Sequence, residues 1–242
     1  MRSLRPFSSA GALAVLASGA IAAMLLVGAV PAQAATASAD FDRTKHSLDD
    51  PASSWVIANK LRPLQPTNWV PDDLVRLKVP QVYDAYLRKP AAKAVTRMFA
   101  DFQKKTGLGM QSQSAYRSYS SQVSTYNSWV DTLGQEGADL TSARPGYSEH
   151  QTGLAIDISA VGGSCSLRSC FADTKQGKWL AKHAWEYGFV LRYPQGKTKI
   201  TGYEFEPWHY RFVGTGLARD LHETGVKTLE KYFGLPNATD YE

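Results

Sequence analysis

Between Pro90 and Gly107 the chain sets Val95, Met98, Phe99 and Phe102 three and four residues apart among polar positions, the spacing of one apolar helical face. Gly107 is the expected stop. The run from Ser120 to Leu133 repeats that spacing with Val123, Tyr126, Val130 and Leu133, and "GKWLAKHAWEYGF" predicts a third helix closed by Gly188. A last helix is expected near Gly216 to Phe233. In "LAIDIS" the period drops to two: Leu154, Ile156 and Ile158 alternate with Ala155, Asp157 and Ser159, which predicts a strand carrying Asp157 on the face away from its apolar side. "MQSQSAYRS", "FVLRYP" and "YEFEPWHYRFVG" read as further strands. "WVIANKLRPLQPTNWVPDDLVRL" holds Pro63, Pro66 and Pro71 among apolar residues, so an extended segment lying on the core is expected there rather than a long helix. Helices and strands are mixed, with strands clustered after Gly146, which points to an α+β domain.

The first residues follow none of these periods. Arg2 and Arg5 precede a run from Gly11 to Val30 that is apolar or small throughout, and Ala32-Gln33-Ala34 fits small-residue cleavage before Ala35. Residues 1–34 are therefore expected to be an export signal, with an uncleaved membrane anchor as the alternative because the run is long enough to span a bilayer. Either way the body lies outside the cytoplasmic membrane, secreted or associated with the cell envelope. The polar, small-residue stretch 35–53 reads as a flexible linker, leaving 54–242 as the domain. At 43% hydrophobic and 20% charged, the chain can bury an ordinary core. Without Arg2 and Arg5 it keeps 25 Lys and Arg against 22 acids, about +3, with the basic residues scattered, which excludes a nucleic-acid partner. A monomer is expected. Cys165 and Cys170 are the two cysteines, and an even count at short spacing in an exported chain points to a disulfide; a zinc knuckle is the competing reading but lacks a second ligand pair.

The candidate chemistry lies in two short stretches. In "GYSEHQTGLAIDIS" His150 precedes Asp157 by seven residues with Gly153 between them. On one straight helix such residues stand about 10 Å apart, and on one straight strand they face opposite ways. A bend at Gly153, where the missing Cβ permits positive φ, lets the two side chains converge. In "EFEPWHYRF" the aromatic Trp208, Tyr210 and Phe212 alternate with His209 and Arg211, and a bulge at Pro207 would turn Glu206 and His209 to one side. His150, Asp157 and His209 then offer three ligands and an open position, the arrangement of catalytic zinc, one ion per chain, with Glu206 as a carboxylate free to act as general base.

"SEHQTGLAID" resembles the Ser-x-His-x-x-Gly-x-Ala-x-Asp motif, and "EPWH" the Glu-x-x-His motif, of zinc D-alanyl-D-alanine carboxypeptidases of the VanY type. The likeness takes in "NKLRPLQP", "SAYRSYSSQ" and "FVLRYPQGK" and runs from about Trp55 to Val213. It implies a small antiparallel sheet carrying the zinc site, flanked by helices, as in lysostaphin and hedgehog-type domains. It also implies that His150, Asp157 and His209 hold Zn2+, that Glu206 is the base, that Arg117 stabilises charge on the scissile carbonyl, and that Ser148 lies beside the substrate. The implied partners are peptidoglycan stem peptides, cleaved at a terminal D-alanine. L,D-carboxypeptidase or D,D-dipeptidase activity at the same site is the related alternative, and a non-catalytic zinc-containing wall-binding module the alternative of another class. The Cys165 to Cys170 loop lies outside the family pattern.

Plainer roles exist for several of these residues. Arg117 could pack its stem between Tyr116 and Tyr119, and Ser148 could cap a turn. Gln122 reads as a helix cap and is left outside the site. Glu204 has the chemistry of Glu206 and differs only in its spacing to His209. His46, His183 and His222 have no carboxylate at ligand spacing and are read as structural or solvated.

Overall fold

The structure is a computed structural model that describes residues 41–163 and 165–242. The expected signal peptide and its cleavage site lie outside the described residues, as do residues 35–40 of the expected linker. Among the described residues no helix is long and apolar enough to cross a membrane. From Phe41 onward the segment read as linker is a series of turns. Asp42 accepts from the Thr44 amide at 2.8 Å and Asp50 from that of Ala52 at 2.9 Å, while the Phe41 ring centroid lies 5.7 Å from that of Trp55. Short polar side chains here satisfy the backbone locally, and one aromatic ties the segment to the body.

Among the described residues six strands form two antiparallel sheets. β1 (Leu74–Arg76) pairs with β2 (Tyr86–Arg88) in a small ribbon. The larger sheet contains β3 (Met110–Ser114), β4 (Ala155–Ala160), β5 (Phe189–Leu191) and β6 (His209–Phe212) in the order β3-β4-β6-β5. Helix α1 (Lys89–Thr106) buries Val95, Met98, Phe99 and Phe102 as its spacing predicts, and ends on Gly107 in the left-handed conformation. These side chains share a core with Leu154, just ahead of β4, and with Ile156, Ile158, Phe189 and Tyr210 of the sheet. The α+β class with helices flanking an antiparallel sheet is thus the observed one.

Elsewhere the elements depart from the expected spans. Helix α2 (Tyr119–Thr141) is longer than read and is interrupted at Gly134, whose φ of 71° is not helical. Its buried residues are Gln122, Tyr126, Ala138 and Asp139, while Leu133 is exposed, because the buried stripe meets polar partners, Arg117 and Ser142 at Gln122 and Asp139 at Tyr126, rather than the apolar core. The third helix, α3 (Lys175–His183), passes into a 3-10 turn, Ala184–Tyr187, before closing at Gly188. After the short α4 (Thr198–Thr201), the expected C-terminal helix is two pieces, α5 (Thr215–Thr224) and α6 (Leu229–Tyr232), parted at Gly225. They pack with Trp55 and Ile57 of the proline-rich segment in a second apolar cluster.

Candidate metal centre and its cleft

Two adjacent strands and one tight turn assemble the site. β4 and β6 pair in the register Asp157↔His209, which sets those two side chains side by side. Upstream of β4, Glu149–Thr152 form one 3-10 turn that ends on Gly153 at φ 66°. A Cβ on Gly153 would stand 2.9 Å from Leu74 Cδ2 and 3.1 Å from Arg88 Cγ, so neither the conformation nor the space suits another residue. This bend returns His150 over the strand, as its spacing predicts. Glu206 arrives by a different route from the expected bulge at Pro207. β6 starts only at His209, and the His209 amide donates to the Glu206 carbonyl at 3.1 Å, so a turn ahead of the strand brings Glu206 back to His209. The short strand cannot carry both residues, and the turn does what the bulge was expected to do.

The donor atoms of His150, Asp157 and His209 all lie within 4.8 Å of one another, and all three residues are buried. His150 Nδ1 is 2.7 Å from the Ala115 carbonyl oxygen, which can only accept, so Nδ1 carries the proton and Nε2 presents its lone pair. That lone pair faces Asp157 Oδ2 at 3.3 Å. His209 Nε2 lies 3.4 Å from Glu149 Oε2, leaving Nδ1 to face Asp157 Oδ1 at 3.2 Å. Asp157 Oδ1 is buried without a hydrogen-bond partner. Acceptors that face one another at such distances call for a cation between them, and two imidazoles with one carboxylate suit a divalent transition ion. The residues present therefore fit a bound metal ion.

The electrostatics carry the same signature. Burial would raise the Asp157 carboxyl, but His150 and His209 outweigh it and hold the group below the usual carboxylate range. Burial lowers His150. Burial opposes charging of His209 as well, yet its contacts with Asp157 and Glu149 push it up to about 9. Glu206, whose Oε2 is 3.6 Å from His209 Nδ1, is pushed up to about 8 by burial, with Asp157 and Glu149 adding to the rise and His209 and Arg117 opposing it. A cation held in the cage would draw these protons off.

The cage opens on a cleft of about 540 Å³ lined among others by Arg117, Ser148, Glu206, Trp129 and Arg168. Arg117 follows β3, whose register shifts between Ser112 and Ser114 and sets Ser114 against Asp157. Its guanidinium donates to Gln122 Oε1 at 2.9 Å and to Ser114 Oγ at 3.1 Å, and burial lowers its pKa against the pull of Asp157 and Glu206. Ser148 Oγ accepts from the His150 amide at 3.3 Å, so it caps the ligand turn while lining the cleft. Exposed Glu204 lines the cleft too, whereas buried Glu206 stands against the cage.

Two residues outside the expected set belong to the centre. Gln122, read as a helix cap, is fully buried and joins Arg117 to Ser142 Oγ and the Ala143 carbonyl. Nothing in the spacing marks Glu149, yet it lies against His209. It accepts from Arg192 Nε at 2.8 Å and Arg211 Nη1 at 3.0 Å, and these two guanidinium groups overcome the cost of burial to hold its carboxyl well below the usual range. Arg192 also pairs with buried Glu230. The sequence hint was a pair of arginines in strands that otherwise read as core, Arg192 and Arg211, since such charges enter a core only with partners.

The remaining titratable candidates lie elsewhere. His46 packs edge-on to Trp55 and His222 stacks on Trp185 at 4.2 Å. His183 does have a carboxylate partner, Glu186 at 2.6 Å, a correction to its reading as unpaired; the two form an exposed helix-end pair away from the cage. Cys165 and Cys170 form a disulfide.

The family description "VanY: D-alanyl-D-alanine carboxypeptidase" matches residues 84–215. YodJ of Bacillus subtilis (strain 168), whose name carries a provisional carboxypeptidase assignment, is 40% identical over 192 residues, 77% of this chain and 69% of YodJ. Among solved structures, the LD-carboxypeptidase LdcB is 41% identical with a TM-score of 0.69, covering 76% of this chain and 87% of LdcB. A vancomycin-resistance D,D-pentapeptidase VanY from a VanB-type cassette, solved with Zn(II), is 29% identical with a TM-score of 0.62, covering 74% of this chain and 98% of that one.

Proposed function

Because the chain belongs to the VanY family of D-alanyl-D-alanine carboxypeptidases, we propose that it is a zinc-dependent carboxypeptidase that removes the terminal D-alanine from peptidoglycan stem peptides outside the cytoplasmic membrane. The observation that carries the reading is the set of ligand atoms of His150, Asp157 and His209 gathered within 4.8 Å of one another on the lining of the cleft, with Glu206 beside them. One Zn2+ per chain fills that point in this reading, held by His150 Nε2, Asp157 and His209 Nδ1. When bound, the ion supplies Lewis acidity.

The chain's own groups do the rest. Glu206 takes the proton of the attacking water and returns it to the departing amine. Burial raises the Glu206 carboxyl and so favours its taking a proton, while a cation in the cage would pull the other way. Arg117 donates to the oxygen that gains charge at the scissile carbonyl, and Gln122 with Ser114 fixes the plane of its guanidinium. Glu149 fixes the His209 ring through Nε2. Ser148 holds the His150 turn and offers its hydroxyl proton to the bound peptide. Export of the body, action as a monomer and placement at the cell envelope complete the proposal.

L,D-carboxypeptidase action at the same centre is the second reading, favoured by the 41% identity to LdcB against 29% to the D,D-enzyme. Glu206 counts against a binding module without catalysis, which has no use for a buried carboxylate at that position. The test incubates purified, zinc-loaded protein with stem peptides ending in D-alanyl-D-alanine or in L-lysyl-D-alanine and identifies the released residue by mass. Zinc-dependent release of D-alanine is expected. Absence of release from both peptides, or release unaffected by a chelator, contradicts the proposal.

A further inference from the structure

The cleft that holds the metal centre has one wall outside the family motifs. Leu167, Arg168 and Ser169 line it, and they sit in the loop closed by the Cys165–Cys170 disulfide. The loop is held in shape at both ends. Arg168 donates its amide to the Cys165 carbonyl at 3.3 Å, and its own carbonyl accepts from the amide of fully buried Phe171 at 2.9 Å. Leu167 has φ of 51°, the one non-glycine residue with positive φ among the described residues. A branched residue keeps that conformation only where its surroundings enforce it, and such positions gather at ligand clamps.

Arg168 is the charge this construction presents. It is exposed, and among the described residues its guanidinium makes no hydrogen bond or ion pair. The other cation lining the cleft, Arg117, is buried and already held by Gln122 and Ser114 next to the cage. A peptide cut at its carboxyl end brings its reacting group to Arg117 and the cage. A second guanidinium on another part of the wall meets a different part of the same peptide, and a planar fork of donors suits a carboxylate.

We propose that Arg168 is a specificity-determining residue that binds a second carboxylate of the substrate, upstream of the bond that is cut, so that the preferred substrates are stem peptides with a free carboxylate there rather than an amide. This rests on the stem-peptide reading above. Two residues of such peptides can supply the group, a γ-linked glutamate through its α-carboxylate and a diaminopimelate through its side-chain carboxylate.

The test uses three otherwise identical peptides, with both groups free, with only the glutamate carboxylate amidated, and with only the diaminopimelate carboxylate amidated. For the zinc-loaded wild type, one of the two amidations should raise KM about three- to tenfold with kcat little changed, the range of an ion pair partly shielded by bound substrate. Which amidation does so identifies the source. Arg168→Ala should raise KM for the free peptide by the same factor and abolish the difference between the peptides, and added salt should shrink that difference in the wild type. Equal KM values for all three peptides, or a preference that survives in Arg168→Ala, overturn the assignment while leaving the peptidase reading intact. If the wild type cleaves none of the three, the peptidase reading fails and this one with it.

Discussion

His150 Nδ1 lies 2.7 Å from the carbonyl oxygen of Ala115. That contact ties the ligand turn to the chain just after β3, sets the tautomer of the imidazole and aims Nε2 at Asp157. Glu149 does the same for His209 from below, with its carboxylate fixed by Arg192 and Arg211. Both imidazoles are thus oriented before any ion arrives, which reduces the reorganisation that binding requires.

A first expectation concerns the cage itself. Metal analysis of the purified protein should find one zinc per chain. His150→Ala and His209→Ala should each lower the metal content together with activity, because each removes one of three ligands. His183→Ala should keep the metal, since His183 pairs with Glu186 at an exposed helix end. Full metal content in both cage variants contradicts the ligand assignment.

Glu149 separates orientation from ligation. Glu149→Gln keeps the side-chain volume but leaves Arg192 and Arg211 without their shared buried anion. Breaking a buried ion pair costs about 3–5 kcal/mol, so the free energy of unfolding should fall by an amount of that order even in metal-free protein. Zinc affinity should fall about 10- to 100-fold through the loosened His209 ring. Unchanged unfolding and unchanged affinity would show that the buried network supports neither.

Acid stability should depend on a pair outside the cage. Burial would raise the Asp139 carboxyl, but hydrogen bonds from Arg144 and Tyr126 outweigh it and hold the group below its usual value. A carboxyl depressed in the folded state adds stability that is complete above its unfolded pKa of about 4 and is lost as pH falls through the lower folded value. Unfolding temperature measured from pH 6 down to pH 2 should therefore fall less steeply for Asp139→Asn than for the wild type. Parallel curves would remove Asp139 from the account.

How much of this was legible depended on the range of each interaction. The α1 face and the bend at Gly153 follow from local spacing and from one residue's freedom, and both stand in the structure as read. The position of Glu206 is legible as proximity to His209 but not as geometry, because strand parity assumes a strand through Glu206, whereas β6 begins three residues later, at His209. Gln122 and Glu149 were missed because their burial is tertiary. Each lies next to residues that read as polar surface, and only the meeting of α2 with the loop at Ser142, or of the ligand turn with Arg192 and Arg211, takes them out of water.

The central claim is that Glu206 moves the proton while His150, Asp157 and His209 hold the ion, and Glu206→Gln tests it most directly. The amide keeps the size and one acceptor but cannot take a proton from water. Zinc content and unfolding temperature should stay near those of the wild type while kcat on a stem peptide falls about a hundred- to ten-thousand-fold, with Glu204→Gln, altered two residues away, retaining most activity. A Glu206→Gln protein that carries its zinc and cleaves at the wild-type rate would contradict the account.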